Sequence, residues 1–155
     1  MPNLHIAVGD SNTRKSSLVR CLTGVGSGRA SRYLEVAERS GAVITVYCMV
    51  SALQEQSNPR TPAEFISFIR GLKPQVTDVL FTLRVSAVKH YPAVASYVSA
   101  FGRVGWPIVN VALLGGSASS LGTVFPASRV CAVPVSPSQP TNQTASQVRK
   151  VWGWM

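Results

Sequence analysis

The first twenty residues constrain the fold most strongly, because a short apolar segment, a polar loop and a helix start follow one another without a gap. Residues 4–8 have the length and apolar character of a buried strand. Residues 10–13 are turn and cap formers, and a helical pattern covers residues 15–23. Gly9, Lys15 and Ser16 follow the spacing Gly, four residues, Gly-Lys, then Ser or Thr, with Arg14 in place of the second glycine.

This spacing is typical of a loop that binds phosphate. A strand that turns directly into a helix leaves backbone N–H groups directed into one concavity, and the helix dipole adds partial positive charge there. In such a loop Lys15 reaches the outer phosphates and the Ser16 hydroxyl ligates Mg²⁺. The candidate nucleotide- or phosphate-binding residues are Gly9, Asp10, Ser11, Asn12, Thr13, Arg14, Lys15, Ser16 and Ser17. The alternative is an ordinary strand-turn-helix corner with turn and cap residues at 10–13.

Arg14 leaves two alternatives for this loop. The second glycine normally lets the backbone approach phosphate in a conformation that a side chain penalises. Either Arg14 distorts the loop, or its side chain points outward and adds a second cation. We expect a partly collapsed loop, in which the Arg14 side chain or a contact from Asp10 or Ser11 fills the phosphate position.

Length and hydropathy predict one domain, residues 1–155, with a proper core. The longest apolar run, residues 42–50, is too short for a membrane span, and Gly9 and Asp10 interrupt the apolar start too early for a secretory signal. We therefore expect a cytoplasmic protein. The three cysteines are odd in number and lie among apolar residues, which favours reduced core thiols over disulfides or a metal site.

The charge balance favours an anionic partner. Fifteen Lys and Arg residues stand against six Asp and Glu, a formal net charge of +9. A nucleotide, a nucleic acid or an acidic protein surface would each satisfy this excess. The basic residues are scattered along the chain, except for a group in the first 32 residues that is opposed only by Asp10: Arg14, Lys15, Arg20, Arg29 and Arg32.

The remaining pattern alternates strands and helices. Strands are predicted at 32–37, 42–50, 78–85, 107–114 and 129–135, with the first two joined as a hairpin by residues 38–41. Helices are predicted after the Thr61-to-Glu64 capping box, from Pro92, and at 142–152. This order indicates an α/β fold with a mostly parallel sheet, helices on both faces and ligands at the carboxyl ends of the strands.

With the hairpin second and third, the chain resembles the Ras-like small GTPase domain over nearly its whole length, with one helix shortened to about 118–121. The resemblance implies a three-layer P-loop fold of about six strands, mostly parallel with one antiparallel hairpin strand. It also implies five sequence boxes, of which only part of the first is present. The switch-two box would fall on residues 51–54, which lack its Asp and Gly.

The other boxes are equally incomplete. The switch-one loop would lie within 24–31, where Thr23, Ser27 and Ser31 are all candidates for the metal-binding hydroxyl. The guanine-reading box falls on 116–119 and keeps no carboxylate, and the last box, 136–138, contains a proline. Guanine selectivity is therefore not expected.

Three functions follow from this pattern. The first is a degenerate GTPase-like domain that acts as a protein-binding or scaffolding module, with weak or absent nucleotide binding, little hydrolysis and no assigned catalytic residue. The second is an active nucleotide-dependent switch or NTPase that uses GTP or ATP with Mg²⁺, where Arg84 or Arg14 neutralises developing charge. The third is a basic nucleic-acid-binding module, which lacks the aromatic signatures of such proteins.

Overall fold

The computed structural model describes residues 1–10, 14–24, 31–56, 58–115, 118, 121, 125, 129–133 and 140–155, without the side chains of residues 31 and 32. The strands are β1 (Asn3–Val8), β2 (Ser31–Ala37), β3 (Val43–Ala52), β4 (Asp78–Leu83), β5 (Ile108–Leu114) and β6 (Arg129–Val133). The helices are α1 (Lys15–Thr23), α2 (Pro62–Arg70), α3 (Val94–Val104) and α4 (Thr141–Trp152). The expected α/β alternation is confirmed.

All six strands form one sheet in the order β2-β3-β4-β1-β5-β6. The β2–β3 pair is antiparallel, as expected for the hairpin, and every other pair is parallel. Strand β4 therefore lies between β3 and β1. Its position brings the carboxyl ends of β3, β4 and β1 side by side.

The helices cover both faces of the sheet. Side chains of α1 and α4 pack with one set of strand residues, including Ala7, Cys48 and Leu80. Side chains of α2 and α3 pack on the opposite face with Ile6, Phe81 and other residues that alternate along the same strands. This alternation explains the continuous apolar runs, because a strand covered on both faces has no solvent side. No helix among the described residues is long and apolar enough to cross a membrane.

Three predicted boundaries are wrong. Strand β3 ends at Ala52 and not at Val50. Strand β4 ends at Leu83 and not at Val85, because the Arg84 backbone N–H donates to the Gln54 side chain at 2.9 Å and so leaves the ladder. Helix α3 begins at Val94 and not at Pro92. The predicted short helix at 118–121 and the end of the last strand, 134–135, fall largely outside the described residues.

Helix α2 begins as the sequence predicts. The Thr61 hydroxyl accepts from the Glu64 backbone N–H at 3.3 Å, and a Glu64 carboxylate oxygen accepts from the Thr61 N–H at 3.0 Å. This reciprocal pair is a capping box, and the backbone bond lowers the pKa of Glu64. The Glu64 carboxylate is thus engaged at the helix start.

A polar cluster lies buried on the α4 face, at the amino ends of the central strands. His5 Nε2 lies 2.8 Å from Asp78 Oδ1, and Asn110 Nδ2 lies 2.9 Å from His5 Nδ1. The imidazole also packs against the Trp152 and Trp154 rings, with centroids 6.1 and 5.1 Å away. Both ring nitrogens of His5 thus have polar partners, as buried polar groups require, and this gives His5 a structural role.

We expect the truncation of a side chain to destabilise the fold most in the aromatic cluster on the α2–α3 face. Phe81 is fully buried, and its ring lies 4.7 Å from Phe65 and 5.7 Å from Phe101 between ring centroids. We expect Phe81→Ala to reduce the free energy of unfolding by about 3–5 kcal/mol, because it removes buried area and leaves a cavity. Urea unfolding measures this change. Val43→Ala, at a side chain that is 63% exposed, should cost less than about 1 kcal/mol. Equal losses in both variants would contradict the assigned core.

Candidate functional site

The candidate site lies where three parallel strands end together. Val8 pairs with Leu83 and Ala52 pairs with Thr82, so the segments after β1, β4 and β3 leave the sheet side by side. The Gly9 N–H donates to the Leu83 carbonyl at 3.1 Å. Residues distant in sequence therefore meet at this edge, which is where ligands bind in open α/β sheets.

Gln54 ties two of these segments together. Its buried side-chain amide donates to the carbonyls of Arg84 and Pro92 at 3.1 and 3.2 Å and accepts from the Arg84 N–H. The side chain thus replaces ladder bonds where the strands have ended. It fixes Arg84 and the neighbouring Glu55 in position at the edge.

Arg14 has a backbone conformation that favours glycine. Its φ is 63° and its ψ 31°, in the left-handed region, and it precedes the first residue of α1 with an exposed side chain. For a residue with a side chain this conformation costs about 1–2 kcal/mol. The exposed side chain agrees with the outward-pointing alternative for this loop. Ser11, Asn12 and Thr13 lie outside the described residues.

Lys15 points into the molecule. Its side chain is 7% exposed, and Nζ donates to the Asp10 carbonyl at 3.2 Å and lies 3.9 Å from Glu55 Oε2. Burial lowers the pKa of Lys15, and the Arg84 charge lowers it further, whereas Glu55 and Asp10 oppose the change. A buried ammonium at the start of a helix is arranged to meet negative charge.

The negative charge that it meets is Glu55. One carboxylate oxygen lies 3.0 Å from an Arg84 guanidinium nitrogen, and the other is the oxygen 3.9 Å from Lys15. Glu55 is the partner of Arg84 in the structure, while Asp78 pairs with His5. The carboxylate of Glu55 thus joins the two cations of this edge.

The remaining candidate residues contribute less chemistry. Gly9 is buried behind β1, and Ser17 is half-buried on α1. The Ser16 hydroxyl donates to the Val50 carbonyl of β3 at 3.3 Å. Mg²⁺ prefers an octahedral set of oxygens, but here Ser16 is directed to a carbonyl and Glu55 is engaged by two cations. This donor set does not fit Mg²⁺. No group of three His, Cys, Asp or Glu side chains in the described residues could hold a metal ion.

Some of the site was not assigned from the sequence. The bridging position of Glu55 depends on the strand order, which places β4 between β3 and β1. Gln54 stands where the switch-two box would have its glycine, and that comparison gives it no role. One signal was available for both, because they follow a buried strand, and the carboxyl ends of such strands form the ligand-binding edge.

The chain matches no protein-family model, and comparisons with curated proteins and with solved structures gave no match.

Because the Lys15 ammonium is buried, we expect its removal to increase the stability of the protein by an amount that depends on pH. In the folded protein the pKa of Lys15 lies below 10.5, its value in the unfolded chain. Between these two pKa values the unfolded chain binds more protons than the folded protein does, so the free energy of unfolding rises with pH there. The cost of burying the charge is therefore fully present below the folded pKa. We expect Lys15→Met to be more stable than the wild type at neutral pH, with a difference that shrinks as the pH approaches 10.5.

Thermal unfolding across this pH range measures the effect. Lys150→Met provides the control, since Lys150 is an exposed lysine of α4. A Lys15→Met protein that is less stable at neutral pH, or whose difference from the wild type does not change with pH, would contradict the assignment.

Proposed function

We propose that this chain is a degenerate P-loop domain that acts as a protein-binding or scaffolding module, with weak or absent nucleotide binding and little hydrolysis. The order of its elements along the chain and its single antiparallel pair resemble the small GTPases. The order within the sheet departs from them: in a Ras-like domain the first and third strands are neighbours, whereas here β4 separates them. The proposal therefore depends on the site more than on the fold.

The observation that carries the proposal is the position of Glu55. A phosphate bound beside Lys15 would meet the same two cations that Glu55 now engages. It would also have to displace that carboxylate or accept like-charge repulsion. Like-charge contacts of this kind cost several kcal/mol when they are desolvated. The Glu55 carboxylate thus competes with a phosphate ligand for Lys15 and Arg84.

Hydrolysis has still less support. The segment after β3 lacks the Asp and Gly that normally hold the metal's water shell and contact the last phosphate. Gln54, in that segment, uses its amide to brace Arg84 and Pro92. Glu55, in the same segment, is engaged by Arg84 and Lys15.

The second candidate is a nucleotide-dependent switch, and Arg14 favours it. Arg14 has a left-handed backbone conformation, which glycine adopts without penalty, and Lys15 points inward. Glu55 is also 33% exposed, so its ion pairs contribute little to stability and the carboxylate can be displaced by side-chain rotation. Under this alternative Glu55 would close an otherwise competent site until ligand arrives.

Nucleotide-induced stabilisation separates the two candidates. Ligand that binds the native state raises the unfolding temperature when its concentration exceeds Kd. We expect no shift for the wild type with GTP, GDP, ATP or ADP, with or without Mg²⁺, up to the millimolar range. A clear shift, with hydrolysis that Lys15→Ala abolishes, would refute the proposal in favour of the switch.

Glu55→Gln tests the competition directly. We expect pyrophosphate or nucleotide affinity in this variant to exceed that of the wild type about tenfold or more, because a neutral amide no longer repels phosphate. Isothermal titration calorimetry measures the affinity. Glu35→Gln removes the same charge from an exposed position on β2 and should have no effect. Equal binding by both variants would show that Glu55 does not control the site.

Arg14→Gly addresses the loop itself. Glycine adopts the left-handed conformation without penalty, so we expect this variant to be as stable as the wild type or about 1 kcal/mol more stable. It should not acquire nucleotide affinity, because Glu55 still engages Lys15. Nucleotide binding created by Arg14→Gly alone would show that residue 14, and not Glu55, keeps the ligand out.

A further inference from the structure

A groove of about 510 Å³ runs between α2 and α3 on the face of the sheet opposite α1. Ile66, Ala100 and Val104 form its apolar floor, with Ile66 and Ala100 each 6% exposed. The floor is thus continuous with the core beneath it.

The side chains of α2 that border the floor are small. Ala63 and Ser67 lie on one stripe of α2, with Ala100 facing them from α3. Small residues allow a third helix to approach closely, with its own side chains filling the space between the two ridges. An α-helix nine residues long spans roughly 13 Å, so α2 offers room for two to three turns of a partner helix.

The rim of the groove is positively charged. Arg70 and Arg103 line it, and both side chains are exposed. Among the described residues, no carboxylate lies within salt-bridge distance of either one. Glu64, the acidic residue of α2, is engaged in the capping box. The Arg70 guanidinium carbon lies 5.9 Å from the Trp106 ring centroid, within reach of a cation–π contact.

A second concavity of about 570 Å³ continues this surface on the other side of α2 and shares Ala63 and Ser67 with the groove. There the Arg60 guanidinium stacks on the Phe68 ring, 3.9 Å from its centroid. The surface therefore combines apolar and aromatic area with a third arginine. This combination is typical of binding hot spots.

We infer that the α2–α3 groove binds an amphipathic helix of a partner protein, whose apolar stripe fits the floor and whose flanking acidic residues pair with Arg70 and Arg103. This inference rests on the proposed binding role and names its surface. The apolar floor favours a helix over a nucleic acid, which would need phosphate contacts along the whole groove. A second copy of this chain does not supply the occupant, because Glu64 is the one acidic residue in the four helices.

A displayed library of helical peptides tests the inference. The library presents sixteen-residue amphipathic helices, randomised along the apolar stripe and at the flanking positions, to the immobilised full chain. We expect selection to enrich Asp and Glu at the flanks, and amide chemical-shift changes with a selected peptide to map to α2 and α3. Enrichment of neutral or basic flanks, no enrichment at all, or shifts that map elsewhere would overturn the inference.

Matched variants then locate the contact. We expect Arg103→Glu to weaken the selected peptide about tenfold or more, and Ser67→Trp to abolish its binding by filling the groove from an exposed position. Lys150→Glu and Ser146→Trp make the same changes on exposed positions of α4 and should leave the affinity unchanged. Thermal unfolding of each variant verifies that it folds. Binding retained by Ser67→Trp, or lost equally in the α4 variants, would overturn the inference.

The two proposals fail in different measurements. Tight nucleotide binding by the wild type would refute the closed site but leave peptide binding at the groove untouched. If no peptide bound at α2 and α3, the groove would be rejected as a binding site. The proposed competition between Glu55 and phosphate would still be tested by the titrations of Glu55→Gln.

Discussion

The parallel register of β3, β4 and β1 is the constraint on which the site depends. Parallel strands that leave a sheet at the same level deliver their next residues to one place, whatever their distance along the chain. Here the pairing of Val8 with Leu83 and of Ala52 with Thr82 brings together Lys15, Glu55 and Arg84. A shift of one residue in either pairing would turn the strand side chains to the opposite face and separate these charges.

This juxtaposition combines an unfavourable and a favourable electrostatic contribution. Lys15 is desolvated where α1 begins, and its lowered pKa shows that burial outweighs the attraction of nearby carboxylates. Glu55 restores part of the lost solvation from a more exposed position. Stability alone does not explain a buried ammonium, since an apolar side chain would fill the same volume without desolvation. Side chains whose position lowers the stability of the protein, as that of Lys15 does, are characteristic of functional sites.

Local signals predicted most of the elements, and long-range contacts account for what was missed. The capping box at Thr61 and Glu64, the hairpin and the doubly covered strand β3 could all be recognised from neighbouring residues. The strand order could not, because parallel neighbours are joined by crossovers that leave the pairing open. The early end of β4 depends on the distant amide of Gln54, and the role of His5 depends on Asp78 and Asn110 from two other strands.

The loop between β3 and α2 connects the charged edge with the groove, and its bonds determine how far one affects the other. The Arg60 N–H donates to the Leu53 carbonyl at 3.0 Å, its guanidinium donates to Gln56 at 2.9 Å, and Tyr97 donates to its carbonyl. None of these bonds involves the Glu55 carboxylate, which contacts Arg84 and Lys15. Rotation of that side chain would therefore break two ion pairs and leave these three bonds intact. For this reason we expect the start of α2 to keep its position, and the groove its surface, when another anion replaces Glu55 beside Lys15.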